Sequence, residues 1–355
     1  MTPDRLNMGG LTIDVPVEPH WQDAFAELFG LCRATADEEI VILAESQSRQ
    51  LNLHLAQSAL AAMAVPARTI TVPSKPAMAG PVVRSTGASN ALTGEDTVLA
   101  KLQAADLVID LTVEGLMHAP QTGAILKAGT RIMTISNEHP DILARLRPDP
   151  AMKDVVREAI AACRAAGTMT VTSPAGTDLT VAMADTATVG VWGWTDRPGT
   201  LAHWPGGLVV SFPRAASCNG VLVFAPGDIN LTFKRYFESE VRCTITDDFI
   251  TAIEGTGTDA QLMRRYLDGF EDPLAYATSH VGWGLNPAAR YESLTIYDKA
   301  DLNGTELRAL AGNFLYSTGA NEFAGRFTEG HFDLPMMGCS IALDGVPVVR
   351  GGLSV

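Results

Sequence analysis

The first half of the chain alternates short apolar runs with longer segments of helical pattern. Apolar runs of this length predict buried strands, and the segments between them predict helices. The strands are predicted at 39–46, 67–72, 106–112 and 130–136, and the helices at 51–64, 96–105, 117–128 and 152–166. Because strands that alternate with helices form parallel βαβ units, the sequence predicts an open α/β sheet domain over residues 1–166.

The pattern changes at about Thr168. From there, short runs rich in β-branched and apolar residues are separated by Gly, Pro, Asn and Asp. This pattern is typical of a largely antiparallel β lobe, and one predicted helix at 259–269 interrupts it. The predicted fold class is therefore α/β: an N-terminal open α/β sheet domain followed by a β-rich α+β domain at 167–355. We expect the second domain to carry most of the candidate functional residues.

Composition and charge narrow the classes of partner. The chain has 355 residues, is 46% hydrophobic and carries a formal net charge of −14. An acidic surface repels phosphate backbones and anionic lipids, so neither nucleic acid nor a membrane is expected as a partner. No GxGxxG or GxxxxGK[ST] motif follows a strand, so a nucleotide site is not expected. A small-molecule substrate fits better.

The location is predicted from what the sequence lacks. The N-terminus has no apolar core of a signal peptide, and no apolar run approaches the roughly 20 residues of a membrane span. The five cysteines include no CxxC pair, so we expect buried, reduced thiols rather than a cysteine metal site. These features predict a cytoplasmic protein.

Two histidines and an aspartate near the C-terminus are candidate metal ligands. His331 and Asp333 stand two positions apart. In an extended segment both side chains point to one face, roughly 6–7 Å apart at the backbone. His280, in a separate loop-like segment, would complete a face of two histidines and one carboxylate. Such a face can hold iron(II) and leaves positions open for substrate and oxygen.

His280 and Ser317 each have a simpler interpretation. His280 stands beside apolar Val281 and near Trp283, so it could be a hydrogen-bonded core histidine. Ser317, in a Ser-Thr-Gly run, is by itself typical of a turn or a cap.

Two further histidines and two tryptophans are open to two interpretations. His118 could be a residue at a helix N-terminus, and His203 could hydrogen-bond a turn. Either could instead move protons, since imidazole titrates near neutrality. Trp192 and Trp194 alternate like strand residues, which favours core packing, although their rings could also line a pocket for a planar substrate.

Three stretches carry a resemblance to a known family: SHVGWGLNP at 279–287, GNFLYSTGAN at 312–321 and HFDLP at 331–335. Weaker matches lie at 117–120, 125–132, 203–207 and 227–236. These stretches resemble the 2,5-dihydroxypyridine 5,6-dioxygenases, ring-cleaving enzymes of nicotinic acid degradation. That family is related in fold to metallopeptidases of the aminopeptidase T type. The similarity extends from about residue 30 to the C-terminus.

The resemblance implies a set of site residues. The implied iron(II) ligands are His280, Ser317, His331 and Asp333. Met117 and His118 are implied to lie at the substrate, with His118 as the acid/base, and His203 is implied as a hydrogen-bonding partner in the pocket. We expect Trp192 and Ser317 to contact the substrate as well. Relatives also suggest a homo-oligomer.

One position departs from the family pattern. The dioxygenases place a glutamate just before a Tyr-Gly-Tyr that resembles Trp192-Gly193-Trp194, and this chain has Val191 there. An apolar group in place of a pocket carboxylate would alter substrate recognition or proton handling.

Three functions are weighed. The first is an iron(II)-dependent extradiol-type dioxygenase that opens a hydroxylated pyridine, with 2,5-dihydroxypyridine converted to N-formylmaleamic acid as the best single choice. The second is a metallo-hydrolase of the aminopeptidase type, which needs two metals and several further carboxylates. The third is a non-catalytic small-molecule binder that has kept the scaffold. Val191 is the only feature in favour of this third function.

Overall fold

A computed structural model describes residues 4–8, 11–15, 17–75, 89–135 and 137–354. The described α-helices are α1 (Pro19–Leu31), α2 (Gln50–Ala62), α3 (Asp96–Gln103), α4 (Thr122–Lys127), α5 (Pro140–Arg145), α6 (Pro150–Ala165), α7 (Thr258–Asp268), α8 (Ser293–Ile296) and α9 (Thr305–Ala309). Short 3-10 helices lie at Pro273–Tyr276, Lys299–Asp301 and Glu322–Ala324.

The strands of the first part of the chain are β1 (Asp4–Met8), β2 (Leu11–Val15), β3 (Ile40–Glu45), β4 (Arg68–Val72), β5 (Leu107–Leu111) and β6 (Arg131–Ile135). Those that follow, up to residue 254, are β7 (Thr168–Thr172), β8 (Asp178–Ala182), β9 (Ala187–Val191), β10 (Leu201–Trp204), β11 (Leu208–Phe212), β12 (Cys218–Phe224), β13 (Ile229–Asn230), β14 (Arg235–Tyr236), β15 (Val241–Thr246) and β16 (Phe249–Glu254). The remaining described strands are β17 (Thr278–Gly284), β18 (Phe314–Thr318), β19 (Phe332–Met336), β20 (Ser340–Leu343), β21 (Val346–Arg350) and β22 (Leu353–Ser354).

A parallel sheet forms the first layer of the fold. Its described strands run in the order β10-β6-β5-β3-β4, and all adjacent pairs are parallel. Successive residues of β3 enter different cores: Ile40 and Ile42 pack with α1 and α2, whereas Val41 and Leu43 pack with Leu102 at the end of α3. Helices therefore cover both faces, as a parallel sheet with fully buried strands requires. The predicted α/β class is confirmed.

The helix predicted at 117–128 begins later than its pattern suggested. The helix starts at Thr122, and Met117 and His118 lie in a preceding turn. Pro120 has no N–H to donate and disfavours a helical conformation at the residue before it, which explains the late start. The predicted strand at 130–136 is present as β6, and its last position, Ser136, lies outside the described residues.

One strand of the parallel sheet comes from beyond residue 166. Strand β10 adds to the sheet beside β6, with His203 paired to Thr134. The chain thus returns to its first layer after the β-rich segment has begun. The division of the chain at residues 166 and 167 stays a prediction.

Two antiparallel sheets form the β-rich part. One has the strand order β19-β18-β17-β11-β9, and the other has the order β16-β15-β12-β8-β7-β20-β21-β22 among the described strands. Their facing side chains share one apolar core, which includes Val281, Tyr316 and Leu334 from the first sheet and Val171 and Leu222 from the second. Because side chains alternate along a strand, the neighbours of those core residues point to the opposite face of the first sheet. We call that surface the outer face of the five-stranded sheet.

Within the part of the chain that the structure describes, no helix is both long and apolar enough to cross a bilayer.

We predict that Gly282→Ala destabilises the protein. A Cβ at this position would lie 1.9 Å from the Val209 carbonyl oxygen on the paired strand, so β11 and β17 would have to separate. Overpacking of this kind costs about 1–3 kcal/mol of unfolding free energy, which urea unfolding measures. The control is Gly30→Ala in α1, where no atom lies within 4 Å and alanine favours the helix. Equal stability of the two variants would contradict the prediction.

Candidate functional site

Three of the predicted ligands lie on adjacent strands of the five-stranded sheet. Ser317 on β18 pairs directly with Asp333 on β19. On the other side of β18, Thr278 pairs with Thr318 and Val281 with Tyr316. Two residues of β17, 279 and 280, therefore stand opposite the single Ser317, which is a β-bulge. The bulge and the strand alternation bring His280, Ser317 and Asp333 to the outer face of the sheet.

The side chains of these residues meet around one carboxylate oxygen. The Ser317 hydroxyl donates a hydrogen bond to Asp333 Oδ1. His331 Nε2 lies 3.2 Å from the same oxygen, and His280 Nε2 lies 4.0 Å from it. All four residues are buried. The structure thus brings together the four residues of the predicted ligand set.

Aromatic side chains hold the two imidazoles in place. The His280 ring stacks on Phe212 with centroids 5.3 Å apart. His331 lies just before β19, and its carbonyl oxygen accepts a hydrogen bond of 2.8 Å from the Tyr266 hydroxyl. Tyr266 packs in turn on Phe332 at 4.4 Å. Contacts on the core side of the sheet therefore fix the backbone at His331 and Phe332, next to Asp333.

Arg308 compensates the buried charge of Asp333. Its Nε donates to Asp333 Oδ2 at 2.5 Å, and one Nη donates to the Asn303 side-chain oxygen at 3.0 Å. Burial raises the pKa of Asp333, but Arg308 and the two histidines lower it further, so the pKa lies well below its ordinary value. The aspartate is therefore an anion whose Oδ1 faces the imidazoles. The sequence analysis missed Arg308, because no local pattern relates a residue of α9 to β19.

His118 reaches this site from the parallel sheet. The loop after β5 is tied by the buried Asp110, which accepts hydrogen bonds from Thr112 (3.0 Å to its N–H) and from the Leu116 N–H (2.7 Å). The turn that follows places the His118 ring with its centroid 5.1 Å from that of His331 and 5.8 Å from that of His280. His118 thus lies beyond the carboxyl end of a parallel strand, where such sheets bind ligands.

His203 lies close enough to the site to interact electrostatically with Arg308 and Asp333. It sits on β10, and its Nδ1 lies 2.7 Å from the Pro205 carbonyl oxygen. That oxygen can only accept, so Nδ1 carries the proton and Nε2 is an acceptor. Burial lowers the pKa of His203 to about 4; the hydrogen bond to Pro205 raises it, whereas Arg308 lowers it. His203 is therefore a neutral imidazole at neutral pH.

The tryptophans and Val191 belong to a different environment. Trp194 and Val191 are buried in the apolar cluster that also contains Trp204, and Trp192 packs against it. The Lys153 Nζ lies 5.2 Å from the centroid of the Trp192 ring. Among the described residues, these contacts do not include the four predicted ligands. Met117 is half-buried in the turn beside His118.

The buried nitrogens of the two imidazoles bear on whether a metal fits. Among the described residues, both ring nitrogens of His331 and Nδ1 of His280 have no hydrogen-bond partner. Orphaned buried nitrogens of this kind are costly unless another group binds them. His331 Nε2 is close to Asp333 at 3.2 Å but lacks hydrogen-bond geometry.

The donor atoms are near one another without forming a finished coordination shell. Within residues 17–75, 89–135 and 137–354, no three His, Cys, Asp or Glu side chains are already arranged to hold a metal ion. The distances of 3.2 and 4.0 Å from Asp333 Oδ1 are nonetheless those of neighbouring donors. In its chemistry, this set of two imidazoles and one carboxylate fits a single cation.

The fold is shared with two solved structures. A 2,5-dihydroxypyridine dioxygenase from Pseudomonas putida KT2440 matches with a TM-score of 0.89 and 34% identity, over 96% of this chain and 98% of that one. The wild-type aminopeptidase T (AmpT) of Thermus thermophilus matches with a TM-score of 0.64 at 15% identity, over 95% and 99% of the two chains, so that likeness concerns the fold alone. The fold of this chain is therefore one that a dioxygenase and an aminopeptidase share.

The sequence comparison identifies the family. A curated 2,5-dihydroxypyridine 5,6-dioxygenase of Pseudomonas putida KT2440 is 34% identical over 332 residues, which cover 92% of this chain and 94% of that protein. The model of the NicX family, 2,5-dihydroxypyridine 5,6-dioxygenase, matches residues 20–355. The chain belongs to this family, and the expected resemblance is confirmed. It is thus a dioxygenase-like enzyme.

We predict that His203 makes the stability of the metal-free protein fall between pH 7 and pH 4. The folded-state pKa is about 4 against an ordinary 6.5, so in this window the unfolded state binds a proton that the folded state does not. Stability therefore falls as the pH falls, by up to about 3 kcal/mol for 2.5 pKa units. In His203→Asn, which keeps a donor for Pro205, urea unfolding should show a shallower pH slope. The exposed His20→Asn is the control, and equal slopes in all three proteins would contradict the prediction.

Proposed function

We propose that this protein is an iron(II)-dependent, extradiol-type ring-cleaving dioxygenase that acts on a hydroxylated pyridine. The best single substrate is 2,5-dihydroxypyridine, opened between C5 and C6 to N-formylmaleamic acid. One observation carries the proposal: His280, Ser317, His331 and Asp333 meet on one sheet face, and imidazole nitrogens there have no hydrogen-bond partner among the described residues. Both oxygen atoms of dioxygen enter the product, so no separate reductant is needed.

The proposed ligands have different parts in holding the metal. His280 and His331 would offer neutral imidazole nitrogens, and Asp333 would offer its Oδ1 as the anionic donor. The Ser317 hydroxyl donates a hydrogen bond to that oxygen. Ser317 would therefore act as a ligand or orient the carboxylate. When bound there, iron(II) would bring the substrate oxygen and dioxygen together and would let electrons pass between them.

His118 is proposed as the acid/base. Its ring lies against both proposed histidine ligands, so a substrate held at the metal would be within its reach. A neutral imidazole there can accept the proton of the substrate hydroxyl and later return one, which is worth roughly 10²–10⁴-fold in rate.

Further substrate contacts are proposed for His203 and Met117. His203 would offer Nε2 as a hydrogen-bond acceptor to the substrate, because Nδ1 is committed to Pro205. Met117, beside His118, would contribute an apolar wall. The proposed substrate contact of Trp192 has no support among its described neighbours. Val191 is buried in an apolar cluster. At this position, where the family has a glutamate, the chain therefore offers no carboxylate.

The alternatives receive less support. A hydrolase of the aminopeptidase type would need two metals, and Asp333 is the carboxylate around which the described imidazoles gather. Family membership also favours the dioxygenase. We further propose that the enzyme takes dioxygen and a small N-heteroaromatic as reactants, forms a homo-oligomer and works in the cytoplasm.

The first test is ring cleavage. Metal-free protein is loaded with iron(II) without oxygen, then mixed with 2,5-dihydroxypyridine and air, and ring loss is followed by ultraviolet absorbance. We expect turnover with one oxygen consumed per ring, and loss of turnover by about 10²-fold or more in His118→Ala with iron content unchanged. A panel of related hydroxypyridines and zinc-loaded protein are the controls. If no compound of the panel loses its ring, the proposed activity is wrong. If His118→Ala keeps full activity, His118 has no part in the mechanism.

The second test is metal retention. His331→Ala and Asp333→Ala each remove one of few ligands, so iron(II) should not survive dialysis in either variant, whereas wild type should keep one iron per chain. Iron is counted by elemental analysis after gel filtration. His20→Ala, which removes an exposed histidine, should bind like wild type. One iron retained by both ligand variants would show that the assignment of the site is wrong.

A further inference from the structure

The Nδ1 nitrogen of His118 is buried and has no hydrogen-bond partner among the described residues. The group that faces it is the carboxylate of Glu322, whose Oε1 lies 3.5 Å away. The His118 side chain is 6% exposed and that of Glu322 is 34% exposed. This separation is slightly longer than a hydrogen bond, and a small rotation of the glutamate side chain would close it.

The turn that carries Glu322 is firmly anchored on both sides. The Asn321 side chain donates to the Pro213 carbonyl oxygen at 2.8 Å and accepts from the Ala324 N–H at 3.1 Å. Asn321 and Arg326 exchange backbone hydrogen bonds of 3.0 and 2.9 Å. The Arg326 guanidinium reaches the buried Asp248 at 3.2 Å. The position of Glu322 beside His118 is therefore set by the fold.

The charge of Glu322 suits this contact. Burial raises the pKa of Glu322, but the nearby His118 ring lowers it by more, so the pKa stays below the ordinary value. The side chain is thus a carboxylate at neutral pH and can only accept a hydrogen bond. The group opposite it on His118 must then be a donor.

We propose that Glu322 is a positioning residue that accepts a hydrogen bond from the His118 Nδ1–H. This bond fixes the orientation of the ring and the tautomer in which Nε2 carries the lone pair. A histidine that must take a proton from a substrate needs that nitrogen unprotonated, and a carboxylate on the other nitrogen is a common way to ensure it. The inference rests on the proposed acid/base role of His118. Nothing in the sequence pattern had singled out Glu322.

The tautomer is tested first, in the metal-free protein and without any turnover. Nitrogen-15 NMR of histidine-labelled protein distinguishes Nδ1–H from Nε2–H imidazole, and His118→Ala assigns the resonance. In wild type we expect the Nδ1–H form of His118. In Glu322→Ala we expect a mixture of both forms, and in Glu329→Gln, which removes an exposed charge from the same loop, we expect the wild-type spectrum. An unchanged tautomer in Glu322→Ala would overturn the inference.

Turnover then measures the coupling between the two residues. Glu322→Ala should lower kcat by on the order of tenfold, with KM and iron content changed little, and Glu322→Gln, which retains an acceptor oxygen, should recover part of the loss. In a His118→Ala background, Glu322→Ala should cause no further loss. An equal loss in both backgrounds would show that Glu322 acts otherwise than through His118 and would overturn the inference. If His118→Ala itself keeps full turnover, the proposed acid/base role fails, and the tautomer measurement still decides whether Glu322 orients the ring.

Discussion

The buried carboxylate of Asp333 is the constraint around which the site is built. A charge in this position is unfavourable unless hydrogen bonds and opposite charge surround it. Arg308 binds one oxygen, the Ser317 hydroxyl binds the other, and two imidazoles lie beside it. Removal of one partner from a buried pair of this kind costs about 3–5 kcal/mol, so the arrangement is difficult to change piece by piece. The same compensation leaves one oxygen directed at the imidazoles.

The site forms where the parallel sheet layer meets the five-stranded antiparallel sheet. The antiparallel sheet supplies the proposed ligands, whereas the loop after β5 brings His118, and β10 brings His203. Each layer has one buried charged residue that fixes part of the site. Asp110 holds the loop that carries His118, and Arg308 holds the carboxylate of Asp333. The proposed acid/base and the proposed ligands are therefore held by different sets of contacts, which meet at the imidazole rings and where Glu322 lies beside His118.

Much of this could be predicted from the sequence, because some of the information is local. The alternation of strands and helices predicted the parallel sheet, and the spacing of His331 and Asp333 placed both at the site. The bulge that turns His280 was not predictable, because it depends on which residues of β18 pair with β17. Arg308 and Glu322 were missed for a related reason: each contacts its partner across a long sequence separation. The sequence predicts helix at Met117 and His118, where the structure has a turn, because the hydrophobic pattern of the helix continues through them.

Strand β10 has a consequence for how the chain is made. The parallel sheet closes one side with residues 201–204, which leave the ribosome only after strands of the β-rich part have already been synthesised. Until then, the buried edge of β6 has no neighbour, and an unpaired edge of this kind is open to association with other chains. A nascent chain that stalls before this point would expose that edge, so we expect the folding of the two layers to be coupled rather than sequential.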